Sequence, residues 1–153
     1  MLDLKRVLLF LSVVLIFLVL AAPLGAEGIV LNDLNGKTVD LSSCKGRPAL
    51  LLFWTTWCPY CRTEIKMLDK MAPQMQKEGM EVFAVNVGEL DPKVAKFIVQ
   101  NMLTLRVLLD RDGKAADNYD VIGVPTYIIL DKTGKVVSRE HAFPADYKKL
   151  LKD

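Results

Sequence analysis

Histidine and cysteine are scarce: the 153 residues hold a single histidine and three cysteines. Cys44, Cys58, Cys61 and His141 would make an acceptable ligand set for zinc, but their order along the chain lacks the paired short spacings of a structural site. No metal and no cofactor are expected. Charge is equally scarce as a signal: the net value is +2, and eighteen basic residues face seventeen acidic ones from Glu27 to Asp153. That balance leaves no electrostatic footprint for nucleic acid. Repeats, linkers and low-complexity tracts are missing too. At this length, with 52% hydrophobic residues, the chain can fill one core and hardly two.

Part of the apolar content is not core. Val7 to Leu24 is nearly unbroken hydrocarbon, interrupted by Ser12 and by small or proline residues near its end, and it follows Lys5 and Arg6. The run exceeds the roughly 7–15 apolar residues of an export signal and sits at the short end of the roughly 17–25 that cross a bilayer. Residues 1–26 therefore read either as a signal peptide, with Pro23, Gly25 and Ala26 marking a cleavage region, or as a membrane anchor. Both put residues 27–153 outside the cytoplasm, because the positive residues stay inside. No cysteine stands near the end of this segment, which argues against a lipidated anchor.

Three cysteines in an exported chain would ordinarily suggest a structural disulfide with one thiol left over. Cys58 and Cys61, however, are separated by only two residues, a tight ring suited to exchange rather than to stapling distant segments. Ahead of them Ala49 to Trp54 is an apolar run of strand length, and after them Ile65, Leu68, Ala72 and Met75 recur at helical spacing. The thiols thus fall where a strand gives way to a helix, whose unpaired N–H groups favour a thiolate. Cys58, the earlier of the two, is the expected nucleophile. Glu64 lies one helical turn beyond Cys61, where a carboxylate can accept or return a thiol proton; a solvated helix acid is the equal alternative. Cys44 reads as a small buried hydrophobe, or else as half of a regulatory or intermolecular disulfide. Trp54 and Trp57 read as core or rim packing, and Trp57, beside Cys58, can at the same time form part of the apolar surface a substrate meets; Met67, Met71 and Met75 read as packing.

In chain order, Ile29–Leu31 and Thr38–Leu41 flank Asn35-Gly36, a hairpin turn signal. A turn at Lys45 to Pro48 leads into the strand ending at Trp54. A helix from about Pro59 to Glu78 is followed by Gly79 and a strand from Met80 to Val87, a crossover unit. Asp91-Pro92 reads as the cap and first turn of a helix ending near Asn101. A strand from Arg106 to Asp110, a brief helix through Tyr119, a second hairpin over Thr126–Leu130 and Lys135–Ser138, and a helix from Pro144 to about Leu151 complete the chain.

Trp54-Thr55-Thr56-Trp57-Cys58-Pro59-Tyr60-Cys61-Arg62, with Gly123-Val124-Pro125-Thr126 and the hairpin from Asp131 to Val137, resembles the thioredoxin superfamily. The opening hairpin, the Lys45 to Pro48 turn, Asn86-Val87-Gly88-Glu89 and the extra helix from Pro92 to Asn101 resemble its exported TlpA/ResA-type branch. The resemblance spans Ile29 to Leu151. It implies an α/β thioredoxin-like fold, a central mixed sheet flanked by helices, with an N-terminal β-hairpin and an inserted helix. It implies a thiol-disulfide oxidoreductase in which Cys58 attacks a substrate disulfide, Cys61 resolves the mixed disulfide, and Glu64 matches a functional glutamate of ResA-like reductases. Pro125 matches the family's cis-proline, beside which the Val124 backbone would pair with an extended substrate. Partners implied are protein disulfides, apocytochrome c among them, and a membrane thiol-disulfide electron donor, with the membrane itself a partner if residues 1–26 stay uncleaved.

Two departures stand out. Leu52, six residues before Cys58, occupies the position where thioredoxin proper has a buried acid and TlpA-like chains usually a polar residue. Any proton relay must then use Glu64, water or neither. Pro59-Tyr60 between the thiols resembles glutaredoxin more than thioredoxin. Two other functions on the same scaffold fit less well: a peroxiredoxin would want a proline at Leu51, and a copper-delivery module would want thiols separated by three residues with a histidine ligand.

Overall fold

The computed structural model describes residues 28–41 and 46–151. The segment 1–26 and Cys44 lie outside the described residues. Seven strands are found among the described residues: β1 (Val30–Asp33), β2 (Thr38–Asp40), β3 (Ala49–Trp54), β4 (Glu81–Val87), β5 (Val107–Asp110), β6 (Thr126–Leu130) and β7 (Val136–Glu140). Among the described residues the helices are α1 (Pro59–Lys77), α2 (Asp91–Gln100) and α3 (Lys114–Asn118), and a 3₁₀ turn covers Tyr147–Leu151.

The unbroken apolar run of β3 explains its place. All six of its residues are buried, as a strand covered on both faces requires. It is third from one edge in the sheet order β2-β1-β5-β4-β3-β6-β7, parallel to β4 and antiparallel to β6. Alternate residues feed two cores. Leu50, Leu52 and Trp54 pack with Ile65, Leu68, Ala72 and Met75 of α1 and with Val94 of α2. Ala49, Leu51 and Phe53 pack with Ala115 and Ala116 of α3 and with Tyr119. The spacing of three and four in α1 lays its apolar stripe on the sheet, and each large side chain so buried contributes about 1.5–3 kcal/mol. The mixed sheet with helices on both faces is the architecture that the sequence implies, including the opening hairpin and the extra helix α2.

Three local expectations are corrected. The opening hairpin does not turn on two residues: four residues, 34–37, separate β1 from β2, and of Asn35 and Gly36 only Gly36 takes a positive φ, +77°. Asp33 shapes this loop instead, accepting the N–H groups of Asn35 and Lys37 at 2.9 Å each. Asp91 is the first residue of α2 rather than its cap, since Leu90 holds that position without a side-chain bond. The Asp91 carboxylate is taken by Arg111, whose Nε donates at 2.6 Å. Finally, the last described residues form a 3₁₀ turn over Tyr147–Leu151, not a helix from Pro144.

Candidate functional site

The carboxyl ends of β3 and β4 lie side by side, with Trp54 paired to Asn86, and the site is built on the loop that leaves this edge. Cys58 is the N-cap of α1, in extended conformation, and Pro59 occupies the first turn, where its missing N–H costs nothing. The Cys58 sulfur accepts the N–H of Cys61 at 3.2 Å, so a helix-terminal dipole stabilises negative charge on it. On its other side Cys58 Sγ lies 3.8 Å from the Val124 carbonyl oxygen. The next bond, Val124–Pro125, is cis. The structure therefore brings Cys58, Cys61, Val124 and Pro125 together, although Cys58 stands 66 residues before Val124.

The two thiols are not equivalent. Cys58 keeps 5% of its surface exposed and Cys61 none. Burial, and then the adjoining Cys58 sulfur, push the Cys61 thiol up to about 12. Two large apolar side chains are exposed near these residues in sequence: Trp57, next to Cys58, at 63%, and Ile122, two residues before Val124, at 98%. Trp54, by contrast, belongs to the core, tilted against Phe97 with ring centroids 5.2 Å apart. Trp54 is thus a core residue, and Trp57 stands exposed next to Cys58.

Glu64 is half-buried rather than fully solvated. Its Oε2 accepts the hydroxyl of Tyr127 at 2.6 Å. Tyr127 is 1% exposed, and burial, followed by the facing Glu64 carboxylate and by Cys61, raises its phenol above the ordinary range. It stays protonated and can only donate to the carboxylate. His141 sits at the back of the proline bend, its Nδ1 3.1 Å from the Pro125 oxygen and 3.2 Å from Thr126 Oγ1. Since the Thr126 hydroxyl donates to the Gly123 carbonyl at 2.6 Å, Nδ1 is the donor to both.

Comparison with known proteins rests on this geometry and on the sequence. The AhpC/TSA family model matches residues 25–139. The chain belongs to the AhpC/TSA family. Within that family's reach, the thiol-disulfide oxidoreductase ResA of Bacillus subtilis is 36% identical over 132 residues, 83% of this chain and 74% of its own length. ResA of Bacillus thuringiensis is 36% identical over 112 residues, 73% of this chain; the chain spans 65% of that relative's length. Among solved structures, the exposed lipoprotein thioredoxin of Streptococcus pneumoniae superposes with a TM-score of 0.69 at 28% identity, covering 82% of this chain and 95% of that one. StoA of Bacillus subtilis, at 24% identity and a TM-score of 0.70 over 84% of this chain and 98% of its own, shares the fold.

Two residues of this AhpC/TSA-family site carry no role in the sequence reading. Glu89, 8% exposed, accepts the Thr56 N–H at 2.6 Å, the Thr56 hydroxyl at 2.7 Å and the Asn86 amide at 2.8 Å, and pairs with Lys93 at 2.7 Å. Burial works to raise this carboxyl, but the bonds from Asn86, Lys93 and Thr56 outweigh it and hold the group below the usual range. The signal available was an acid just past the carboxyl end of a parallel strand, the edge where such sheets gather their functional groups. Tyr127 gave no comparable signal, being one aromatic in an apolar strand.

Proposed function

We propose that this chain is an extracytoplasmic thiol-disulfide oxidoreductase that reduces protein disulfides through Cys58 and Cys61. The observation that carries the reading is the setting of the Cys58 sulfur, at a helix N-terminus, receiving the Cys61 N–H, next to the Val124 carbonyl and the cis-proline. Cys58 as thiolate attacks one sulfur of the substrate disulfide, and the other sulfur leaves as a thiolate. Cys61 then gives up its proton and attacks Cys58 Sγ, breaking the mixed disulfide and releasing the second substrate thiolate. Two electrons pass to the substrate, and the Cys58–Cys61 disulfide remains. Glu64, one helical turn beyond Cys61, takes the Cys61 proton in this reading. Val124 offers backbone to an extended substrate, with Trp57 and Pro125 beside it.

The apolar run from Val7 to Leu24 after Lys5 and Arg6 supports export, whether it is cleaved or kept as an anchor. It lies outside the described residues, among which no helix is long and apolar enough to cross a membrane. The TlpA/ResA resemblance supports apocytochrome c as a substrate and a membrane thiol-disulfide protein as the electron donor. In the test, the full-length chain in detergent reduces insulin disulfides with dithiothreitol as electron source. Cys58→Ser abolishes this reaction and Cys61→Ser accumulates the mixed disulfide. Full activity in Cys58→Ser overturns the reading, and turnover with hydrogen peroxide in place of insulin would favour a peroxide reductase instead.

A further inference from the structure

Tyr127 is the second residue of β6, and the antiparallel register sets it directly across from Leu52 of β3. Cross-strand partners share a face of the sheet, and for this pair it is the face that carries α1. Leu52 has no proton to exchange, so the polar function at this spot falls to its neighbour. Tyr127 is fixed by its ring, which meets Phe143 edge-on with centroids 5.7 Å apart. Its hydroxyl reaches across to α1 and donates to Glu64 Oε2 at 2.6 Å, a length typical of a bond to a charged acceptor. Glu64 is three residues beyond Cys61 on the same helix and therefore on the same side of it. A half-buried glutamate with no such partner has rotamers that lead out to water. The raised state of the phenol, to which both Glu64 and Cys61 contribute, agrees with one compact group of three.

We propose that Tyr127 is a positioning residue for the resolving step, holding the Glu64 carboxylate at the Cys61 end of α1 so that it takes the Cys61 proton. The inference rests on the oxidoreductase reading of Cys58 and Cys61. In that step the Cys61 S–H proton passes to Glu64 and the Cys61 sulfur bonds to Cys58 Sγ. The bond between Cys58 and the substrate sulfur breaks, and the substrate leaves as a thiolate that regains a proton from Glu64 or water. Tyr127 keeps its own proton throughout. Cys61 needs this help because its thiol, pushed up to about 12, holds its proton at neutral pH.

The reduced full-length chain in detergent, mixed with dithiobis(nitrobenzoate), separates the two steps. Attack by Cys58 releases the first coloured thiolate, and resolution by Cys61 releases the second. Tyr127→Phe keeps the ring and removes only the hydroxyl. It is expected to leave the first phase unchanged and to slow the second about tenfold, the effect of one lost hydrogen bond to a charged group. Glu64→Gln slows the second phase at least as much, and Tyr127→Phe adds nothing in the Glu64→Gln background. In both single variants the second phase climbs in proportion to hydroxide across the neutral range, as a thiol without an internal base must. Glu64→Asp retains the acid but draws it back from the phenol, and it reproduces the slowing without touching the core. An unchanged second phase in Tyr127→Phe, or a slowing that persists at full size in Glu64→Gln, overturns the proposal. A Cys58→Ser chain that still releases both thiolates would sink the oxidoreductase reading itself, an outcome that no Tyr127 variant produces.

Discussion

Glu89 grips Thr56 with both carboxylate oxygens, one on its N–H and one on its hydroxyl, at 2.6 and 2.7 Å. The contact joins residues 33 apart in sequence and fixes the middle of the loop between β3 and Cys58. Removing it leaves the buried Thr56 and Asn86 donors without an acceptor. Glu89→Ala is therefore expected to cost about 2–4 kcal/mol of stability, measured by urea unfolding. The sign of the pH effect follows from the lowered carboxyl. The folded protein holds fewer protons than the unfolded chain on the acid side, so this stabilisation is intact at neutral pH and disappears as pH falls through the depressed value. The gap between the parent and Glu89→Gln should narrow on acidification.

Cys61 titrates in the opposite sense. Its thiol is raised from an ordinary 9.0 to about 12, so between those values the folded state keeps a proton that the unfolded chain has released. Stability should decline as pH rises through that window, and the decline should be shallower in Cys61→Ser. The same inequality predicts selective labelling: a short exposure to iodoacetamide at neutral pH puts one adduct on Cys58 and none on Cys61, read by peptide mass spectrometry.

The exposed apolar side chains of Trp57 and Ile122 predict a split between large and small substrates. Trp57→Ala and Ile122→Ser should each raise the KM for a protein disulfide several-fold to about tenfold, in keeping with the weight of aromatic anchors at interfaces. Reaction with a small aromatic disulfide should be nearly unaffected. Equal losses on both substrates would assign these side chains to the scaffold instead.

Asp110 is fully buried at the end of β5. It accepts the N–H groups of Ala115 and Ala116 at 3.0 and 2.8 Å, replacing the capping side chain that α3 lacks at Gly113. Asp110→Ala should cost about 1–3 kcal/mol and loosen α3 first, visible as faster amide exchange at Ala115 and Ala116.

Hydrophobic pattern carried most of the fold. The apolar run of β3 and the spacing of Ile65, Leu68, Ala72 and Met75 are local features, and each lands where the pattern puts it. The Cys58–Cys61 pair at a helix start was legible for the same reason, while the Val124–Pro125 bend came through resemblance rather than residue preference. What stayed hidden depends on partners far along the chain. Asp91 looked like a cap until Arg111 claimed it; Glu89 and Tyr127 acquire meaning only once β4 and β6 bring them to Thr56 and Glu64. Asn35-Gly36 misled because Asp33, just outside the dipeptide, reshaped the loop.

Thr56 is tied at both ends of its peptide, since its carbonyl accepts Arg62 Nε at 2.7 Å while Glu89 holds its N–H. Strand β3 ends at Trp54, just upstream of that knot, and the exposed Pro59 and Tyr60 lie downstream of it. On the oxidoreductase reading, those two side chains lie between the reacting sulfurs but beyond the anchored Thr56, so libraries varied there are expected to retune the electron affinity of the dithiol while the anchor stays in place.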